Sequence, residues 1–176
     1  MRTALLVIDV QGGLFDGEPR PFEADAVVDR VNRLTARARV SDAPVVLVQH
    51  ESPSLPVGSD AWRFARGLHI ESRDTVLRKT TPDAFLRTEL HELLTSWQVD
   101  HVVICGYACE FCVDTTTRRA AALGYRVTLA ADAHTTHDKP HATATQIRAH
   151  ENATLADLTS FGPAIVATPS AAITFG

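Results

Sequence analysis

Cysteine is scarce in this chain: only Cys105, Cys109 and Cys112 occur in 176 residues, all within one short stretch. A disulfide scaffold spreads an even number of cysteines along a chain, so this spacing excludes one and points to a reducing compartment. Long apolar runs are missing as well. The N-terminal run Ala4-Leu5-Leu6-Val7-Ile8 is far too short to span a bilayer and has no signal-peptide cleavage pattern. The expectation is a cytoplasmic protein with no membrane partner. There is no excess of positive charge either. The formal net charge is −4, and basic residues such as Arg30, Arg33, Arg37 and Arg39 are not gathered into a basic domain. A nucleic-acid partner is therefore not expected, nor a tail for anionic lipid. Internal repeats and low-complexity tracts are absent. What remains is 45% hydrophobic and 22% charged. That balance suits a single domain over 1–176 with a substantial core.

Short apolar runs alternate with amphipathic stretches. Ala4 to Ile8, Val45 to Val48, Thr75 to Leu77, His101 to Cys105, Val127 to Ala130 and Ala164 to Ala167 read as buried parallel strands. Helical periodicity runs from Glu23 to Val40, Asp83 to Trp97, Cys112 to Leu123 and Ala142 to Leu158, with Gly124 as a C-cap. Ser52 to Gly67 has no clear period and reads as a long loop, a common carrier of function. The alternation predicts an α/β fold of three layers, Rossmann-like, with a mostly parallel six-stranded sheet and helices on both faces. Ligands in such folds bind beyond the carboxyl ends of the strands.

Three segments meet that positional test. Asp9 follows four apolar residues at the end of the first strand, where an idle carboxylate is costly to bury. Lys79 follows the third strand, although beside Arg78 it reads by default as solvated basic surface. The segment Ile104-Cys105-Gly106-Tyr107-Ala108-Cys109-Glu110-Phe111-Cys112 ends a strand, turns, and enters a helix near Cys112. A helix N-terminus lowers a thiol pKa and offers free N–H groups to an oxyanion. Cys105 falls inside the strand as a core thiol, and position alone leaves Cys112 open between nucleophile and buried helix residue.

Taken together, Leu6-Val7-Ile8-Asp9-Val10-Gln11 with Phe15, Arg78-Lys79 to Phe85, and Ile104 to Thr116 resemble the isochorismatase-like cysteine hydrolases in order and spacing. So does the continuation from Ala120 to Ala133. The resemblance implies an Asp-Lys-Cys triad of Asp9, Lys79 and Cys112, and a cis peptide at Tyr107-Ala108. It also implies an oxyanion hole from the Ala108 and Cys112 N–H groups. The implied activity is hydrolysis of a small amide, carbamoyl or related C–N substrate through a thioester-type intermediate. Relatives are commonly homodimers or homotetramers, and the implied partner is otherwise a small-molecule substrate.

Nicotinamidases of that family carry a metal site with an Asp-x-His pair after the second strand. Here the place reads Val48-Gln49-His50-Glu51, so no metal and no cofactor are expected. Gln11, Phe15, His50 and Trp62 are the candidate substrate-binding residues, Trp62 as part of an adjustable lid. His134, His137 and His141 lie after the fifth strand on the same edge, and read as a polar loop or subunit contact. Three alternatives stand beside the hydrolase. Cys109-Glu110-Phe111-Cys112 is formally a redox C-x-x-C. Cys109, Cys112, His134 and His137 have zinc-ligand spacing. A non-catalytic ligand-binding relative is the third.

Overall fold

The computed structural model describes residues 2–176. Strands β1 (Thr3–Ile8), β2 (Val45–His50), β3 (Thr75–Lys79), β4 (His101–Tyr107), β5 (Arg126–Thr135) and β6 (Ile165–Thr168) form one sheet. Its order is β3-β2-β1-β4-β5-β6, and every pairing is parallel. Helices are α1 (Gly12–Phe15), α2 (Ala24–Val40), α3 (Leu90–Ser96), α4 (Asp114–Ala122) and α5 (Ala144–Ala156). A π-helix at Cys109–Val113 leads into α4.

Alternation along β1 explains the three layers. Leu6 and Ile8 enter a core shared with Leu90 and Leu94 of α3, Ala120 and Ala121 of α4, and Leu155 of α5. Leu5 and Val7 enter the opposite core with Val27, Val31, Leu34 and Ala38 of α2. Both faces of β1 are thus dry, as a continuous apolar run in a parallel sheet requires. The predicted α/β architecture with six parallel strands and helices on both faces is the one observed.

Two helices differ from their predicted extents. Asp83 to Trp97 is not one helix; only Leu90–Ser96 is α-helical. Arg87 takes φ 59°, which breaks any helix through it, and the Thr88 hydroxyl donates back to the Ala84 carbonyl. The helix expected from Cys112 starts three residues earlier, as the π-helix, so Cys112 is the fourth residue of that turn rather than the first of the helix.

The strand order reverses between β1 and β4, since β1 pairs β2 on one side and β4 on the other. A crevice therefore opens at the carboxyl ends of these two strands. Gly106 lets β4 reach it. Its φ is 114°, and a Cβ there would sit 2.0 Å from the Ile8 carbonyl oxygen, so any side chain would drive β4 away from β1.

Candidate active site

Four strand ends deliver side chains to the crevice. Asp9 leaves β1 at φ 51°, with its N–H on the Val48 carbonyl at 3.0 Å. His50 ends β2 and Lys79 ends β3, in direct register with each other. After β4 the Tyr107-Ala108 peptide is cis, the place the resemblance implied. The Ala108 carbonyl then accepts from the N–H groups of Phe111 and Val113, passing over the one on Cys112 between them.

These groups converge on one atom. Lys79 Nζ lies 2.8 Å from Asp9 Oδ2, 2.9 Å from His50 Nδ1 and 3.3 Å from Cys112 Sγ. The Lys79 and Asp9 side chains are almost wholly buried, at 0% and 2% exposure. Asp9, His50 and Cys112 offer ligand-type atoms within 4.8 Å of one another, a spacing a metal ion accepts. The cation they surround here is the Lys79 ammonium, which fills that position from within the chain.

Electrostatics follow from burial. Removal from water raises the Asp9 carboxyl above the usual carboxylate range, and Lys79 pulls it back only in part. Its Oδ1 is buried with no hydrogen-bond partner, a basic lone pair left open. The Cys112 thiol is pushed up to about 12, by desolvation first and by the Asp9 charge next, with Lys79 opposing. This corrects the expectation of a thiolate favoured by a helix N-terminus: Cys112 sits within the π-helix, and burial dominates. Burial and the Lys79 charge lower His50.

The pocket above Cys112 holds about 340 Å³. Leu14, Leu55, Pro82, Tyr107 and Phe111 give it apolar walls, and Ser52, Ser54 and Thr80 a hydroxyl strip. His50 lines it, but three other candidate substrate-binding residues do not. Gln11 is fully buried behind the wall and its amide is spent on backbone. Nε2 donates to the His50 and Trp62 carbonyls at 3.1 and 2.8 Å, and Oε1 accepts from the His50 N–H at 2.8 Å. Phe15 is a core residue with its ring edge-on to Tyr107, and its neighbour Leu14 faces the pocket instead. Trp62 lies outside the pocket lining. Its carbonyl takes both Gln11 and Gln49 amides, and its indole lies beside the Arg78 guanidinium. Ser52, Ser54, Leu55 and Thr80 were missed; a loop without periodicity carries no signal for side-chain direction.

The proposed zinc quartet does not assemble. Cys109 Sγ is 3.0 Å from His134 Nδ1, while His137 binds Tyr107 Oη at 2.7 Å and the Pro19 carbonyl at 2.9 Å. Cys112 turns to Lys79 instead. Cys109 and Cys112 thus serve different partners.

An isochorismatase domain model matches residues 3–160. A streptothricin hydrolase of Streptomyces noursei is 40% identical over 144 residues, which are 79% of this chain and 51% of that protein. The chain spans about half the length of the streptothricin hydrolases it matches. More distantly, a ureidoacrylate amidohydrolase of Serratia proteamaculans is 28% identical over 74% of this chain and 68% of its own. The solved structure of an isochorismatase family protein superposes with a TM-score of 0.87 at 38% identity, covering 94% of this chain and 97% of that one. Among the described residues no helix is long and apolar enough to cross a membrane. With nearly the whole sheet inside the matched segment, the chain belongs to the isochorismatase family.

Proposed function

We propose that this protein is a hydrolase that cleaves a C–N bond of a small amide or carbamoyl compound, with Cys112 as nucleophile, Asp9 as base and Lys79 as charge partner. The observation that carries the reading is the hub at Lys79 Nζ, 2.8 Å from Asp9 Oδ2 and 3.3 Å from Cys112 Sγ. A buried ammonium beside a buried carboxylate and a thiol gives a site of near-zero net charge at rest. The thiol stays protonated, because a second anion next to Asp9 is unfavourable until substrate arrives.

Attack then proceeds with the proton leaving Cys112 Sγ for Asp9 as the sulfur bonds to the substrate carbon. Negative charge builds on the substrate oxygen, facing the N–H groups of Ala108 and Cys112. The tetrahedral adduct collapses by breaking the C–N bond, and Asp9 returns its proton to the departing nitrogen. Water attacks the thioester while Asp9 accepts its proton. The Cys112 sulfur leaves and takes the proton back, closing the cycle. Lys79 stabilises the thiolate character of both transition states. The activities of the two relatives, hydrolysis of streptothricin and ureidoacrylate amidohydrolysis, support this substrate class. Three free thiols fit a reducing cytoplasm.

The test is a panel of small amides and carbamoyl compounds assayed for ammonia or amine release. Turnover of at least one is expected, and Cys112→Ala should lower it by about 10³-fold or more. Retention of full turnover by Cys112→Ala would overturn the reading. Cys109→Ser should keep most activity; a dithiol redox protein would lose its cycle instead.

A further inference from the structure

His50 has a use that its place in the pocket wall does not explain. An ammonium carries three protons and no lone pair, so each of its hydrogen bonds needs an acceptor. Lys79 Nζ has three partners: Asp9 Oδ2, Cys112 Sγ and, at 2.9 Å, His50 Nδ1. His50 Nδ1 must therefore be the unprotonated nitrogen, which makes the ring the Nε2–H tautomer.

The backbone around His50 is built to hold this arrangement. His50 and Lys79 are register partners on adjacent strands. The buried Gln11 amide grips His50 on both sides of its backbone, at 2.8 Å to its N–H and 3.1 Å to its carbonyl. Gln11, from the β1 end, thus fixes the residue that in turn fixes the lysine from the β3 end.

We propose that His50 is a positioning residue, whose Nδ1 accepts the third proton of Lys79 and locks the ammonium at the junction of Asp9 and Cys112. This rests on the triad reading above. The groups facing the ring are Asp9 from β1, Lys79 from β3, Cys112 from the π-helix and Glu51 from its own strand end, the last engaged by Arg78. Protonating His50 would remove the acceptor and set a second cation against Lys79. Burial and that neighbouring charge keep the ring neutral down to below its usual range.

Two measurements on the full chain test the proposal. The first is ¹⁵N–¹H correlation NMR of the histidine rings, with His50 assigned by its absence in His50→Gln. At pH 7 a neutral Nε2–H tautomer is expected, titrating below pH 6.5. An Nδ1–H tautomer, or a charged ring at pH 7, would overturn the proposal. The second is the rate of Cys112 alkylation by iodoacetamide, read by peptide mapping. His50→Gln keeps an acceptor oxygen and should stay within about twofold of the parent. His50→Leu has none and should react about tenfold more slowly, the effect of losing one hydrogen bond to a charged group. Equal rates for Leu and Gln variants would also overturn it. The triad reading fails by a different result, retention of amide turnover by Cys112→Ala. A loss of fold shows in the circular dichroism of the variant, and the NMR test on the parent protein decides regardless.

Discussion

Lys79 shows how little a single residue type says before its surroundings are known. In the sequence it stands beside Arg78 as ordinary basic surface, yet its ammonium is fully buried against Asp9. Buried pairs of this kind are weak contributors to net stability, but breaking one is expensive, because the partner is left charged and alone. Lys79→Met should therefore cost about 3–5 kcal/mol in urea unfolding. Asp9→Asn with Lys79→Met should recover much of that loss, since neither charge remains. A double variant no more stable than the single one would contradict the pairing. Asp9 was legible at this scale because a carboxylate after four apolar residues demands a reason. Gln11 and Phe15 follow a strand end and Trp62 lies in a loop, and such side chains have no direction until the backbone gives them one. The left-handed backbone at Asp9 sets that direction here, and it sends the Gln11 side chain inward.

Between elements, the π-helix is tied to β5 and α5 through His134. The ring is fully buried, with Nε2 at 2.9 Å from Asn152 Oδ1 and Nδ1 at 3.0 Å from Cys109 Sγ. Asn152 Nδ2 donates to the Ala131 carbonyl, which leaves Oδ1 to accept from His134 Nε2–H. Cys109 then donates its S–H to Nδ1. Burial holds the His134 pKa down at about 4. In the unfolded chain the ring binds its proton near pH 6.5, while the folded chain refuses it until about pH 4. The unfolded state thus holds more protons across that window, and stability falls as pH falls through it. The full loss is roughly 3 kcal/mol by pH 4, with none above pH 6.5 from this group. His134→Gln should flatten the dependence in urea unfolding between these limits; an unchanged slope would exclude His134 as its source. The histidine's strand was only half legible. Apolar periodicity ended the prediction at Ala130, whereas β5 continues through His134 and Thr135 because buried partners satisfy the polar groups.

Over the whole molecule, the family match ends at residue 160, but the fold does not. Residues 165–168 add the edge strand β6, and Ile173 and Phe175, each 4% exposed, close the core beneath α2. Burial of two such side chains is worth about 1.5–3 kcal/mol each, before the strand's own packing is added. Truncation after residue 160 should therefore remove a large part of a total near 5–15 kcal/mol, and abolish cooperative thermal unfolding. A truncated chain melting like the parent would refute that. The layered α/β fold was legible because apolar runs of strand length, alternating with helical periodicity, leave few ways to bury every face. From its residues alone the chain determined its strands, its parallel sheet and the edge where chemistry gathers, since these follow from local periodicity and the cost of exposed apolar surface. Only the tertiary structure decided that Lys79, Asp9, His50 and Cys112 share one atom's surroundings. Hydrogen bonds are short and directional, and residues up to 103 positions apart meet only after β1, β2, β3 and the π-helix have packed.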